Sequence, residues 1–161
     1  MLFIFLFFCH FIIMSVIQKS VLVPYSIAQM FDVVNDIASY PQFLENCSDS
    51  VILKKEHNSI TASITIKKNA IQQKFTTCNI LEKPTKITMQ LVDGPFKKLS
   101  GVWSFDKIGA ESGTKVSLYL DYEFNSFIVK MTVGAIFDNI WQEIINSFVI
   151  RADGIYGDKK L

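Results

Sequence analysis

The sequence predicts an α+β fold, in which a curved antiparallel sheet of about seven strands in the order β-α-α-β6-α grips one long C-terminal helix. Three observations carry that expectation. Apolar residues alternate with polar ones from Ser50 to Phe124, they recur every three or four positions after Ser126, and half of the 161 residues are hydrophobic. Such a length suits one domain with one core.

The first strand is expected over Val16 to Val23, stopped by Pro24-Tyr25-Ser26. A short helix follows over Ile27 to Val34, because Ser26 and Gln29 stand three apart as a capping box. Asp36 to Pro41 reads as a second helical turn, ended by Pro41, which disfavours the α conformation at Tyr40. In the period-two region, Ile60, Ala62, Ile64 and Ile66 alternate with Thr61, Ser63 and Thr65. Later, Val116, Leu118, Leu120, Tyr122 and Phe124 alternate with Lys115, Ser117, Tyr119, Asp121 and Glu123. Each set predicts one dry face and one wet face, with Asp121 and Glu123 as solvated charges. Turn signals at His57-Asn58-Ser59, Lys68-Asn69, Lys83-Pro84, Asp93-Gly94-Pro95 and Gly109 to Gly113 divide the region into a meander of about six strands.

The last element is predicted from Phe127 to about Tyr156. Its apolar face comprises Phe137, Ile140, Trp141, Ile144, Ile145, Phe148, Ala152 and Ile155, and it would span ~45 Å. A curved sheet over one helix leaves a concave apolar space unless bulky side chains fill it. Phe43, Phe96, Trp103, Phe105, Phe124, Phe137, Trp141 and Phe148 are expected to border that space, as ligand contacts or as ordinary core.

Other residues have two readings as well. Tyr40-Pro41 with Phe43 would form an aromatic lip over the cavity mouth, or a helix stop with two packing rings. In Asp93-Gly94-Pro95-Phe96, Gly94 supplies freedom and Pro95 fixes φ, so a stiff hairpin aims Phe96. Gly101, two residues before Trp103, marks either a bulge or simple curvature. Arg151, the only arginine, is expected to cap the helix's negative end, pair with Asp153, or contact a ligand.

The formal charge of +1 balances 16 basic against 15 acidic residues, which gives no case for wrapping a polyanion. The lysines cluster in pairs: Lys54-Lys55, Lys67-Lys68, Lys97-Lys98 and Lys159-Lys160. They suit solvated strand ends, or docking on an anionic membrane or rRNA. Cys9, Cys47 and Cys78 are odd in number and far apart, which indicates neither a disulfide framework nor a zinc site. His10 and His57 lie in no catalytic constellation, and no H-E-x-x-H, G-x-G-x-x-G or Walker-type loop is present. No catalytic or metal-ligating residues are therefore assigned.

The run Leu2 to Ile13 is nearly all apolar but short of the ~20 residues of a membrane-crossing helix. No Lys or Arg precedes it and no cleavage motif follows. Residues 1–13 are read as a leader upstream of a true start at Met14, or as a short greasy anchor. Residues 14–157 are the domain and 158–161 a polar tail.

Three segments carry a family resemblance: Asp36 through Cys47 (DIASYPQFLENC), Leu91 through Phe105 (LVDGPFKKLSGVWSF), and Phe148-Val149-Ile150-Arg151-Ala152. They resemble the coenzyme-Q-binding START-like proteins of the polyketide cyclase, helix-grip group, including the bacterial branch of ribosome association toxins (RatA). The likeness runs from about Met14 to Gly157, and departs at Glu45, where the family more often has Pro. It implies a non-enzymatic START-like domain with no covalent cofactor that binds ubiquinone or a similar isoprenoid lipid and supports respiratory electron transport. The toxin branch implies instead a ribosomal subunit as partner and interference with subunit joining. On the quinone reading, Tyr40, Pro41, Phe43, Gly94, Pro95, Phe96, Trp103, Phe105, Phe124, Phe137, Trp141, Phe148 and Arg151 form the site, with Arg151 reaching a quinone carbonyl or phosphate. The place implied is the cytoplasm, with peripheral contact at the inner face of its membrane.

Overall fold

The computed structural model describes residues 15–110 and 113–157. The leader at 1–13, the start at Met14 and the tail at 158–161 lie outside them. The elements are β1 (Ser15–Val23), α1 (Ile27–Asn35), a 3-10 helix (Ile37–Gln42), β2 (Cys47–Lys55), β3 (Ser59–Lys68), β4 (Ile71–Glu82), β5 (Lys86–Asp93), β6 (Phe96–Ile108), β7 (Gly113–Phe124) and α2 (Phe127–Tyr156). The seven strands form one antiparallel sheet in the order β1-β7-β6-β5-β4-β3-β2. β1, the first strand in the chain, therefore lies at one edge of the sheet beside the last, β7.

Local chemistry sets the boundaries. Ser26 Oγ accepts from Gln29 N at 3.2 Å and Ser26 N donates to Gln29 Oε1 at 2.9 Å, a complete capping box. The 3-10 helix runs one residue beyond Pro41, where Phe43 N donates to Tyr40 O at 3.2 Å. Proline bars the α conformation before it, and the tighter 3-10 turn needs few N–H donors. Ser126 caps α2 by accepting from Val129 N at 3.1 Å.

Four of the expected turns separate strands where predicted; the one at 109–113 falls partly outside the described residues. Gly94 has φ +145° and a Cβ there would sit 2.7 Å from Phe75 Cβ, so the hairpin needs glycine both for its conformation and for its close approach. Gly101 marks no bulge. It pairs regularly with Met89 and Leu120, and its missing side chain leaves room for theirs. The register shift in β6 lies between Phe96 and Lys98 instead.

The concave face of the sheet and one face of α2 form the core. Val116, Leu118, Leu120 and Tyr122 of β7 are buried, and so are Leu99, Trp103 and Phe105 of β6. From α2 come Val133, Phe137, Trp141, Ile144, Ile145, Phe148 and Ala152. Ile155, expected on this face, is exposed, in the last turn of the helix.

The wet-face reading also needs correction at Ser63, Thr65 and Asp121, all buried. Ser63 stands opposite Thr76 across β3 and β4, and their hydroxyls bond at 2.6 Å. Short polar side chains in mid-sheet thus satisfy each other without water. Asp121 is not a solvated charge: it pairs with Lys98.

Phe137 is packed by rings from three strands and from its own helix, whereas Phe127, ten positions earlier on α2, is 66% exposed. Phe137→Ala should therefore cost about 3–5 kcal/mol in urea unfolding, and Phe127→Ala less than about 0.5 kcal/mol.

Candidate functional site

Between the sheet and α2 lie two apolar spaces. The larger is walled by Ile37, Tyr40 and Leu44 around the 3-10 helix, Cys47 of β2, and Ala62, Ile64 and Ile66 of β3. Phe75, Thr77 and Asn79 of β4, Met89, Leu99 and Trp103, and Ile140, Trp141 and Ile144 of α2 complete it. Its cavity volume is only about 40 Å³. The smaller space, about 10 Å³, lies among Ile66, Ile71, Phe75, Pro95, Phe96, Phe124, Val133 and Phe137. Ile66 and Phe75 border both, so these two side chains separate them.

Aromatic rings account for how little room remains. Phe137 has ring centroids of Phe96, Tyr122, Trp141, Phe124 and Phe75 at 4.8, 5.0, 5.6, 5.7 and 5.8 Å. A second cluster joins Tyr40, Phe43 and Trp103 to Phe148 at 5.3–5.5 Å. The expected cavity is therefore largely filled.

The thirteen expected site residues divide accordingly. Tyr40, Trp103 and Trp141 border the larger space; Pro95, Phe96, Phe124 and Phe137 border the smaller one. Phe105 lies elsewhere, packed edge-on against Phe31 of α1 at 5.6 Å, and Phe148 is enclosed by its ring cluster. Tyr40 is no open lip: it is buried and donates to Val34 O at 2.5 Å. Pro41 is exposed, and Gly94 shapes the hairpin. Phe43 and Arg151 line a shallow outer groove with Ile150 and Ile155. The Arg151 guanidinium lies 5.3 Å over the Phe43 ring and donates to Gln42 Oε1 at 3.4 Å. It stands before the last helical turn, Asp153 accepts from Tyr25, and Arg151 makes no ion pair among the described residues.

Polar groups inside the larger space were missed by the sequence reading. Thr77 Oγ1 donates to Asn79 Oδ1 at 3.0 Å, both buried. They fall between Phe75 and Leu81 at two-residue spacing on the inward side of β4, and that spacing was the available signal. Trp141 Nε1 is buried with no hydrogen-bond partner among the described residues. Cys47 borders the same space, and burial pushes its thiol up to about 11. Burial, followed by the nearby Cys47 and Asp36, also pushes the Tyr40 hydroxyl well above its ordinary value.

A family described as "Polyketide cyclase / dehydrase and lipid transport" matches residues 23–149. The chain belongs to this polyketide cyclase and lipid transport family. Within it, the chain is 41% identical over 145 residues to "Ribosome association toxin RatA" of Vibrio cholerae, covering 90% of this chain and all of that one. It is 28% identical over 136 residues to "Coenzyme Q-binding protein COQ10, mitochondrial" of Dictyostelium discoideum, covering 83% of this chain and 66% of that one. The crystal structure of the Zhui aromatase/cyclase of a Streptomyces species superposes with TM-score 0.76 at 15% identity, over 87% of this chain and 94% of that one. This likeness shows the shared fold.

Proteins that share this fold bear names for different activities, so function is argued from the site rather than from the fold. Among the described residues of this member, no group of three or more His, Cys, Asp or Glu is placed to hold a metal. No helix among them is long and apolar enough to cross a membrane.

The raised thiol gives an alkaline prediction. A group whose folded pKa exceeds its unfolded value stabilises the fold below the unfolded pKa and loses that contribution as pH rises through the folded one. Cys47 should therefore lower the urea midpoint between about pH 9 and about pH 11, less so in Cys47→Ala relative to its own neutral value. Its alkylation at about pH 8.5, followed by peptide mass mapping, should be at least about tenfold slower than in the unfolded chain.

Proposed function

We propose that this chain is a ribosome-directed, non-enzymatic protein that interferes with the association of ribosomal subunits. The observation that carries this reading is the 41% identity, over the whole length of the relative, to a protein named for ribosome association. The interior supports it. A site for a drug-sized ligand takes about 300–1,000 Å³, whereas the larger space here leaves about 40 Å³. Action is then at the surface, where Lys54-Lys55, Lys67-Lys68 and Lys97-Lys98 stand exposed at strand ends. With a formal charge of only +1, contact with rRNA would rest on these local pairs and weaken with salt. Added to purified subunits at low salt, the protein should shift a density-gradient profile from joined ribosomes toward free subunits. An unchanged profile with no protein in any ribosomal fraction would refute the reading.

A second reading, binding of ubiquinone or another apolar molecule, is favoured by the polar groups in the larger space. Trp141, which borders it, has a buried Nε1 without an acceptor among the described residues, and Thr77 and Asn79 offer further polar atoms. A carbonyl is the kind of group that would use them, and Phe75 would have to move to admit an isoprenoid tail. On this reading, Trp141→Phe weakens binding of a short-chain quinone about 2–10-fold by fluorescence titration. Equal affinity in both proteins would remove the indole from the site.

A further inference from the structure

One end of the molecule exposes apolar residues that the core does not use. Phe127, Ile128 and Met131 are 66%, 74% and 70% exposed on the first turns of α2. Spaced by one, three and four positions, they share one helix face. Val92, at the end of β5, is also exposed. Asn125 N donates to Pro95 O at 3.1 Å, tying the start of α2 to the 93–96 hairpin. The β3–β4 turn reaches the same end, since Ile71, Pro95 and Val133 border one small space.

Lysines surround this tip. Lys67 and Lys68 close β3, Lys97 and Lys98 open β6, and Lys130 lies on α2. Lys97 and Lys98 pair with Glu123 and Asp121, while Lys67, Lys68 and Lys130 make no ion pair among the described residues. Asp93 is the exposed carboxylate of the hairpin.

We infer that this tip docks on an anionic lipid surface, with Phe127, Ile128 and Met131 entering the headgroup boundary and the lysines contacting the lipid phosphates. Apolar side chains projecting from a helix turn with basic neighbours match an interfacial anchor. The chain's one arginine, the side chain best suited to base and phosphate reading in nucleic acid, lies near the opposite end of α2. The inference is independent of ribosome binding.

The test is co-sedimentation of the full chain with vesicles of phosphatidylcholine alone or mixed with phosphatidylglycerol. The triple variant Phe127→Ser, Ile128→Ser, Met131→Ser should bind the mixed vesicles at least about tenfold more weakly. Lys67→Gln, Lys68→Gln, Lys130→Gln should remove the preference for phosphatidylglycerol and the sensitivity to salt. Because five of the six residues are exposed and Lys130 is half-buried, both variants should keep the parent's circular dichroism and unfolding midpoint. Equal vesicle binding by the parent and the serine variant, including binding carried by residues 1–13, would overturn the inference. Loss of ribosome binding in the serine variant with vesicle binding intact would overturn it too, assigning the tip to a macromolecular partner.

Discussion

The ring of Phe137 is the contact on which the rest of the structure depends. It projects from α2 into the concave sheet and meets Phe75 of β4, Phe96 of β6, Tyr122 and Phe124 of β7 and Trp141 of its own helix. Aromatic pairs in edge-on or tilted geometry add about 0.5–1.5 kcal/mol each beyond the area they bury. One side chain thus fixes the helix against three strands at once. With α2 held there, Trp141 and Ile144 border the larger space and Val133 the smaller one.

That constraint bears directly on function. A curved sheet over a helix is an architecture that can enclose a ligand, and proteins similar to this chain in fold or sequence carry names for ring cyclisation or coenzyme Q binding. Here the same architecture is packed with aromatic side chains, and the residual space is smaller than any isoprenoid quinone. The proposed action is therefore placed on the surface, on the exposed lysine pairs at strand ends. The Thr77–Asn79 pair and the unpartnered Trp141 nitrogen keep the interior from being wholly apolar.

The fold was legible because its two periods were clean. The capping box at Ser26 and the glycine hairpin at Gly94 marked boundaries that residue type alone specifies, and α2 runs from Phe127 to Tyr156 as expected. The interior was legible only in part. Aromatic residues could be assigned to the concave side by alternation, but whether rings border a void or fill it depends on their mutual packing, which has no local signature. Phe105 went to α1 and Phe148 to a closed ring cluster for that reason. The polar members were missed because Thr and Asn on a strand read as wet-face residues. Ser63 and Asp121 were misplaced by the same rule, since each is buried with a partner from a neighbouring strand.

If rings fill the interior, the proposed action on ribosomal subunits needs no carried lipid. Native mass spectrometry of the full chain, purified without detergent from its own host, tests it most directly. The account predicts a mass equal to that of the polypeptide alone. A stoichiometric adduct with the mass of an isoprenoid quinone would contradict it and make the apolar interior, opened beyond its present volume, the seat of function.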